Sequence, residues 1–148
     1  MSKKIFTNQV ASFYPVFTDN RKLVPTFFFN YKNLPAVNQR LSFATTLAAL
    51  NKNGDYSFTF FIYQDEFDSE HQITGKTFNV SPSKYTVNPQ NKLNDEYITL
   101  SLTLISDDFD IPEGTHTYFV TAALTDNNKS PQNAIVDTAR TWFATRKI

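Results

Sequence analysis

In Tyr56-Ser57-Phe58-Thr59-Phe60-Phe61-Ile62-Tyr63, bulky rings recur between small hydroxyl residues on a two-residue beat. Two is the period of an extended chain, whose successive side chains point to opposite faces. Tyr56, Phe58, Phe60 and Ile62 are therefore expected to line a core, with Ser57 and Thr59 facing away from it. The segment Tyr97-Ile98-Thr99-Leu100-Ser101-Leu102-Thr103-Leu104 keeps the same beat, with its aliphatic residues on one face and its hydroxyls on the other. A chain patterned this way folds into sheets with one face packed and the other wet.

Extending the reading along the chain predicts about eight strands: Lys4–Phe17, Leu23–Tyr31, Arg40–Leu50, Tyr56–Gln64, Ile73–Val80, Tyr97–Leu104, Thr115–Thr125 and Ala134–Ile148. The first can be interrupted near Pro15, and Thr18-Asp19-Asn20-Arg21 reads as a hairpin turn after it. Lys32-Asn33-Leu34-Pro35 breaks the pattern. Asn51-Lys52-Asn53-Gly54-Asp55 is a strong turn, because Asn and Gly tolerate positive φ, and it is expected to join its flanking strands as a hairpin. Ser81–Asp95, with Pro82, Pro89 and several Asn, reads as a long loop. Two segments also fit a helix. Ala48-Ala49-Leu50 suits one, and Ile135, Ala139, Trp142 and Phe143 share a helical face; strand is the reading adopted for both.

A chain of 148 residues suits a single domain spanning 1–148. Many short strands without helical interludes imply two antiparallel sheets packed face to face, an all-β sandwich of immunoglobulin-like or jelly-roll-like kind, with a barrel as the alternative. With 15 Phe and 7 Tyr, the core is expected to be built largely of rings. Only 3 glycines occur, so turns must draw on Asn, Asp and Pro.

The segment Phe109-Asp110-Ile111-Pro112-Glu113-Gly114-Thr115-His116-Thr117-Tyr118-Phe119-Val120 resembles the turn that opens a late strand in immunoglobulin-like domains and in small bacterial β-sandwich domains of unknown function. His116 stands where those domains often carry Tyr. The resemblance implies a fold and no activity.

Composition removes several function classes. Zero net charge argues against the basic face that nonspecific nucleic-acid binding needs. Absence of cysteine excludes a disulfide framework, a thiolate nucleophile and cysteine-ligated zinc. The start, Met1-Ser2-Lys3-Lys4-Ile5-Phe6-Thr7-Asn8-Gln9, carries two lysines, but Asn8 and Gln9 interrupt any apolar run, so no export signal is read there. No stretch approaches a membrane span. Cytoplasmic residence is the default expectation, with assembly into a larger particle such as a phage virion as the alternative. His71 and His116 lack a partner at a recognisable spacing, and there is no nucleophile elbow, phosphate loop or His-Glu-x-x-His helix.

The sharpest chemical candidate is a pair of acidic loops. Asp65 and Asp68, with Glu66 and Glu70, follow one strand, while Asp107, Asp108 and Asp110, with Glu113, follow another. In a sandwich whose strands reverse direction, the two loops emerge at one end. Their carboxylates could there form an oxygen cage for calcium, as in C2-type modules, although the spacing of an EF-hand is missing. Rings are the second candidate. Tyr14, Tyr31, Tyr63, Tyr85 and Trp142 could stack on sugar if exposed, and alternation forces at least one ring of Phe27-Phe28-Phe29 onto the face opposite its neighbours. An exposed ring there marks a contact surface.

Three classes of function follow. The reading adopted is a noncatalytic binding or structural module, without cofactor, that contacts a protein partner or a second copy through a sheet face or an exposed edge strand. The alternatives are a calcium-dependent ligand-binding or carbohydrate-binding sandwich, and a hydrolase in which His116 converges with nearby acids.

Overall fold

A computed structural model describes residues 6–148, so Lys4 and Ile5 of the first expected strand, and the start of the segment read for an export signal, lie outside the described residues. Eleven strands follow in order. They are β1 (Gln9–Asp19), β2 (Lys22–Pro25), β3 (Phe28–Tyr31), β4 (Ala36–Gln39), β5 (Ser42–Asn51), β6 (Tyr56–Gln64), β7 (Gln72–Val80), β8 (Tyr97–Ile105), β9 (Phe109–Ile111), β10 (His116–Asp126) and β11 (Ile135–Lys147). One sheet has the order β2-β1-β5-β8, the other β3-β11-β10-β6-β7, and β4 pairs with β9 as a small ribbon. Among the described residues neither large sheet pairs its first strand with its last, so the architecture is a sandwich and not a closed barrel.

The expected core face of β6 holds: Tyr56, Phe58, Phe60 and Ile62 are all essentially inaccessible. Across the interior, Phe43 of β5 meets Phe60 with ring centroids 5.1 Å apart, and Phe13 of β1 meets Phe58 at 5.5 Å. Tyr118 of β10 stacks on Phe143 of β11 at 4.5 Å. Rings from both sheets thus interdigitate, which is what the Phe count anticipated. A partly buried hydrogen bond from Val10 N to Asp137 Oδ2, 2.7 Å, ties β1 to β11 across the two sheets.

The two ambiguous segments are strands. β5 pairs with both β1 and β8, and β11 runs beside β10 for almost its whole length. Pro15 leaves β1 unbroken, because that position pairs with Phe43 and its carbonyl accepts from Thr26 N at 3.0 Å. The hairpin after Thr18 is also present: Asp19 faces Lys22, and Asn20 and Arg21 take positive φ, the signature of the tight turn that matches strand twist.

Three expectations are corrected. Asn51–Asp55 turns the chain, but β5 and β6 do not pair; they lie in opposite sheets. Both strands carry a full apolar face, and those faces meet across the core, so the turn serves as a corner between sheets. Tyr56 fixes it by accepting from Asn51 N at 2.9 Å and donating to Asn8 Oδ1 at 2.7 Å. The expected strand Leu23–Tyr31 is two strands in two sheets, β2 antiparallel to β1 and β3 parallel to β11. The sandwich is therefore antiparallel with one parallel pair. Finally, β4 and β9 were not expected as strands; β9 buries Phe109 and Ile111 under the end of the sandwich.

Candidate functional site

The break between β2 and β3 sets the exposed rings. Thr26 ends β2 by donating its N–H to Pro15 O, and its hydroxyl donates to Val24 O at 2.8 Å. The chain then crosses to the other sheet, where Phe27 O accepts from Ala144 N at 2.8 Å. From there alternation sorts the triplet. Phe29 turns inward, edge-on to Phe143 at 5.8 Å. Phe28 turns outward, 48% exposed, edge-on to Trp142 at 5.5 Å and covered by the Arg146 guanidinium at 4.8 Å. Phe27 remains 41% exposed at the crossing.

The hairpin opposite adds to this corner. Phe17 is 58% exposed and pairs across the ladder with Val24, itself exposed. Between hairpin and β3 lies an open cleft of about 550 Å³, with Val16, Phe17, Phe28, Phe29, Tyr31 and Leu41 as its apolar lining. Polar groups at its rim include Asn30, Gln39 and Arg40. Burial pushes the Tyr31 phenol above its usual range.

The acidic loops do reach one end of the sandwich. Phe109, directly after Asp108, packs on Tyr118 with centroids 6.3 Å apart, and Tyr118 pairs with Gln64 at the end of β6. Yet each of the five aspartates has its own donor. Asp65 Oδ2 meets His116 Nδ1 at 2.7 Å, and its Oδ1 accepts from Thr117 N at 3.1 Å. Asp68 Oδ1 caps a single 3-10 turn by accepting from His71 N at 3.0 Å, and the His71 ring nitrogen Nδ1 lies 2.6 Å from the same oxygen. Asp107 meets Lys76 Nζ at 3.2 Å, Asp108 is bonded to Arg40 Nε, and Asp110 accepts from Asn38 N at 3.0 Å. Among the described residues, ligating atoms gather within 4.8 Å only at Glu66, Asp68 and His71. That group contains one of the five aspartates expected to share an ion.

Both histidines face acids that spacing did not reveal. His116 has Asp65 on Nδ1 and the Glu113 carbonyl on Nε2, 2.6 Å away. Both neighbours accept hydrogen bonds, so the ring satisfies both only as the doubly protonated cation. The bond to Asp65 holds the imidazole above its usual range. Burial pushes the Asp65 carboxyl up, but the bonds from His116 and Thr117 outweigh it and leave the group below the usual carboxylate range. The arrangement clamps the turn before β10 and leaves no nitrogen free for base work.

The sugar-stacking candidates divide. Tyr14, Tyr31 and Tyr63 are half-buried, whereas Tyr85 is 42% and Trp142 38% exposed. Phe17 and Arg146 belong to the corner as well; no local pattern could have found Arg146, whose contact with Phe28 joins residues more than a hundred positions apart in sequence.

No protein-family model matches the chain, and no relative is found among curated proteins. Solved structures do match in shape. A bacterial adhesin from Mobiluncus mulieris, described as containing intramolecular disulfide, isopeptide and ester bond cross-links, aligns over 97% of this chain with TM-score 0.58 and 7% identity. In its second crystal form the alignment covers 90% with TM-score 0.59 and 10% identity. The chain spans 58% and 53% of those adhesin chains. A Bacteroides uniformis beta-glucuronidase matches over 81% of this chain and 14% of its own, with TM-score 0.50 and 14% identity. At such identities the likeness concerns fold alone: the chain has a β-sandwich fold similar to that of the adhesin, consistent with the fold implied by the resemblance carried by Phe109–Val120. Among the described residues no helix is long and apolar enough to cross a membrane.

Proposed function

We propose that the protein is a noncatalytic binding module that contacts a protein partner through the corner where β2 hands over to β3. The observation that carries this reading is the exposure of Phe17, Phe27, Phe28 and Trp142 at this corner, where Phe17 and Phe28 line the open cleft. Rings kept in water at a cost of roughly 25 cal/mol per Å² of apolar surface are a liability unless something covers them. Aromatic side chains beside an arginine are also the residue types that dominate contact energies. The adhesin fold supports the reading by analogy only.

The test uses the whole protein as bait in extract of its source cells, followed by titration of each captured protein in purified form. Phe28→Ser and Phe17→Ser should weaken the partner at least about tenfold, while Thr103→Ala, on the outer face of the other sheet, should leave it unchanged. A partner indifferent to both Phe substitutions refutes the assignment.

A further inference from the structure

The cleft has a feature that exposed rings alone do not explain: it runs along a strand edge that is unpaired among the described residues. In the parallel pair β3–β11, Phe27 O accepts from Ala144 N and Tyr31 O accepts from Ile148 N at 3.0 Å. Alternate residues of a strand in a parallel ladder bond to the same neighbour, so Phe29 is also committed to β11. The N–H and C=O of Phe28 and Asn30 consequently point the other way. β3 is the edge of its sheet. The cleft touches all of Phe28, Phe29, Asn30 and Tyr31. Side chains at successive positions lie on opposite faces, so a space bordered by all of them must lie beside the strand, where the free backbone groups point. The segment Gln39–Ser42, which joins β4 to β5, also lines it.

Charge narrows the occupant. Arg40 stands at the rim, Arg146 Nε donates to Asn30 Oδ1 at 2.7 Å, Lys147 pairs with Tyr31, and Lys32 follows it. Among the described residues, Arg40 is the one of these four cations that pairs with an acid, Asp108. Resting on the contact surface proposed above, we propose that the cleft receives an extended acidic segment of a partner protein, added as a further strand to the free edge of β3. Main-chain bonds to Phe28 and Asn30 would supply affinity, and alternate apolar side chains would sit between Phe17 and Tyr31. A strand of four residues offers roughly 13 Å of edge, so the segment engages over four or five residues.

The experiment is fluorescence anisotropy with the full chain and a labelled nine-residue peptide alternating aspartate and valine. Comparison peptides alternate lysine and valine, or carry the aspartate-valine sequence N-methylated at every residue. Three variants separate the contributions: Asn30→Ala removes the side chain, Asn30→Pro also removes the edge N–H, and Phe28→Ser removes the ring. The expected result is binding of the acidic peptide by wild type and by Asn30→Ala within about threefold, with Asn30→Pro and the methylated peptide at least about tenfold weaker. A melt of Asn30→Pro close to wild type shows that it folds. Equal binding by Asn30→Pro, by the methylated peptide or by the lysine peptide overturns the proposal, as does absence of binding or sedimentation as a dimer through this edge. Loss on Phe28→Ser without loss on Asn30→Pro overturns strand addition and leaves the contact surface standing.

Discussion

Phe60 and Phe61 are chain neighbours with opposite fates, and substituting each with alanine tests the two-residue beat directly. Phe60 is wholly enclosed, with Phe43 at 5.1 Å, Phe78 at 5.9 Å and Phe13 at 6.2 Å. Truncation removes roughly 120 Å² of buried apolar surface, about 3 kcal/mol at 25 cal/mol per Å². Rings from both sheets surround the site, so it collapses poorly and the cavity adds to the loss; about 4 kcal/mol in total is expected. With an unfolding entropy of about 2.1 cal/mol/K per residue over 148 residues, that lowers Tm by roughly 13 °C. Phe61 is 38% exposed, and its ring rests on Gly75, where a Cβ would come within 2.5 Å of it. Its truncation exposes little new surface and should cost about 1 kcal/mol, or some 3 °C. Urea melts read by tryptophan fluorescence, with calorimetry beside them, give both values. Comparable losses at the two positions would refute the assignment of faces on β6, and with it the register of the sheet.

Other expectations concern polar groups. Among the described residues Thr145 Oγ1 is buried with no partner in hydrogen-bonding geometry, although the Tyr118 phenol lies beside it, so Thr145→Val, which keeps the shape and removes the hydroxyl, should stabilise the fold by about 1 kcal/mol; a lower Tm would show that Tyr118 satisfies the hydroxyl. His116 has a folded pKa above its unfolded value, so its contribution is present below about pH 6.5 and fades as pH rises through the folded value. Asp65 is shifted the opposite way, so its contribution disappears as pH falls below about 4. The difference in Tm between wild type and His116→Gln should thus peak between about pH 4 and pH 6.5 and shrink by pH 9; a difference that grows with pH contradicts the clamp. Because Asp65, Asp68, Asp107, Asp108 and Asp110 each hold a separate donor, melts in calcium and in EDTA should coincide, and a calcium-dependent rise would show that the ion gathers them.

Period-two patterning was legible wherever one side of a strand met the core for several residues, as in β6, β8 and β10. It also sufficed for Arg40–Leu50 and the tail, since alternation of Phe43, Thr45 and Leu47 persists through segments whose composition also suits a helix. Periodicity says which face is buried and nothing about which strand lies alongside. The corner at Asn51–Asp55 has the chemistry of a hairpin turn, and only the need of β5 and β6 to bury their faces against each other separates them into two sheets. Short elements failed for a related reason. β4 and β9 offer too few alternations to be read, although Phe109-Asp110-Ile111 carries the beat in miniature.

The acidic loops and the Phe triplet show the same division between face and partner. Reversal of strand direction placed Asp65 and Asp108 at one end, as the chain order implied, but a carboxylate's function depends on its nearest donor, and those donors are Thr117, His116, Lys76 and Arg40, contributed by other elements. For Phe27-Phe28-Phe29 local alternation was enough to say that a ring must leave the core. It could not say that the chain changes sheets one residue earlier, at Thr26. That change is what leaves β3 as a short parallel edge with free backbone groups beside the hairpin, and so places an unpaired ladder and uncovered rings at the same corner. An edge strand is normally blunted by proline, by inward charge or by a covering loop. β3 carries Phe28 and Asn30 there instead. On the proposal made above this corner accepts a strand, and the Asn30→Pro comparison measures that property apart from the rings.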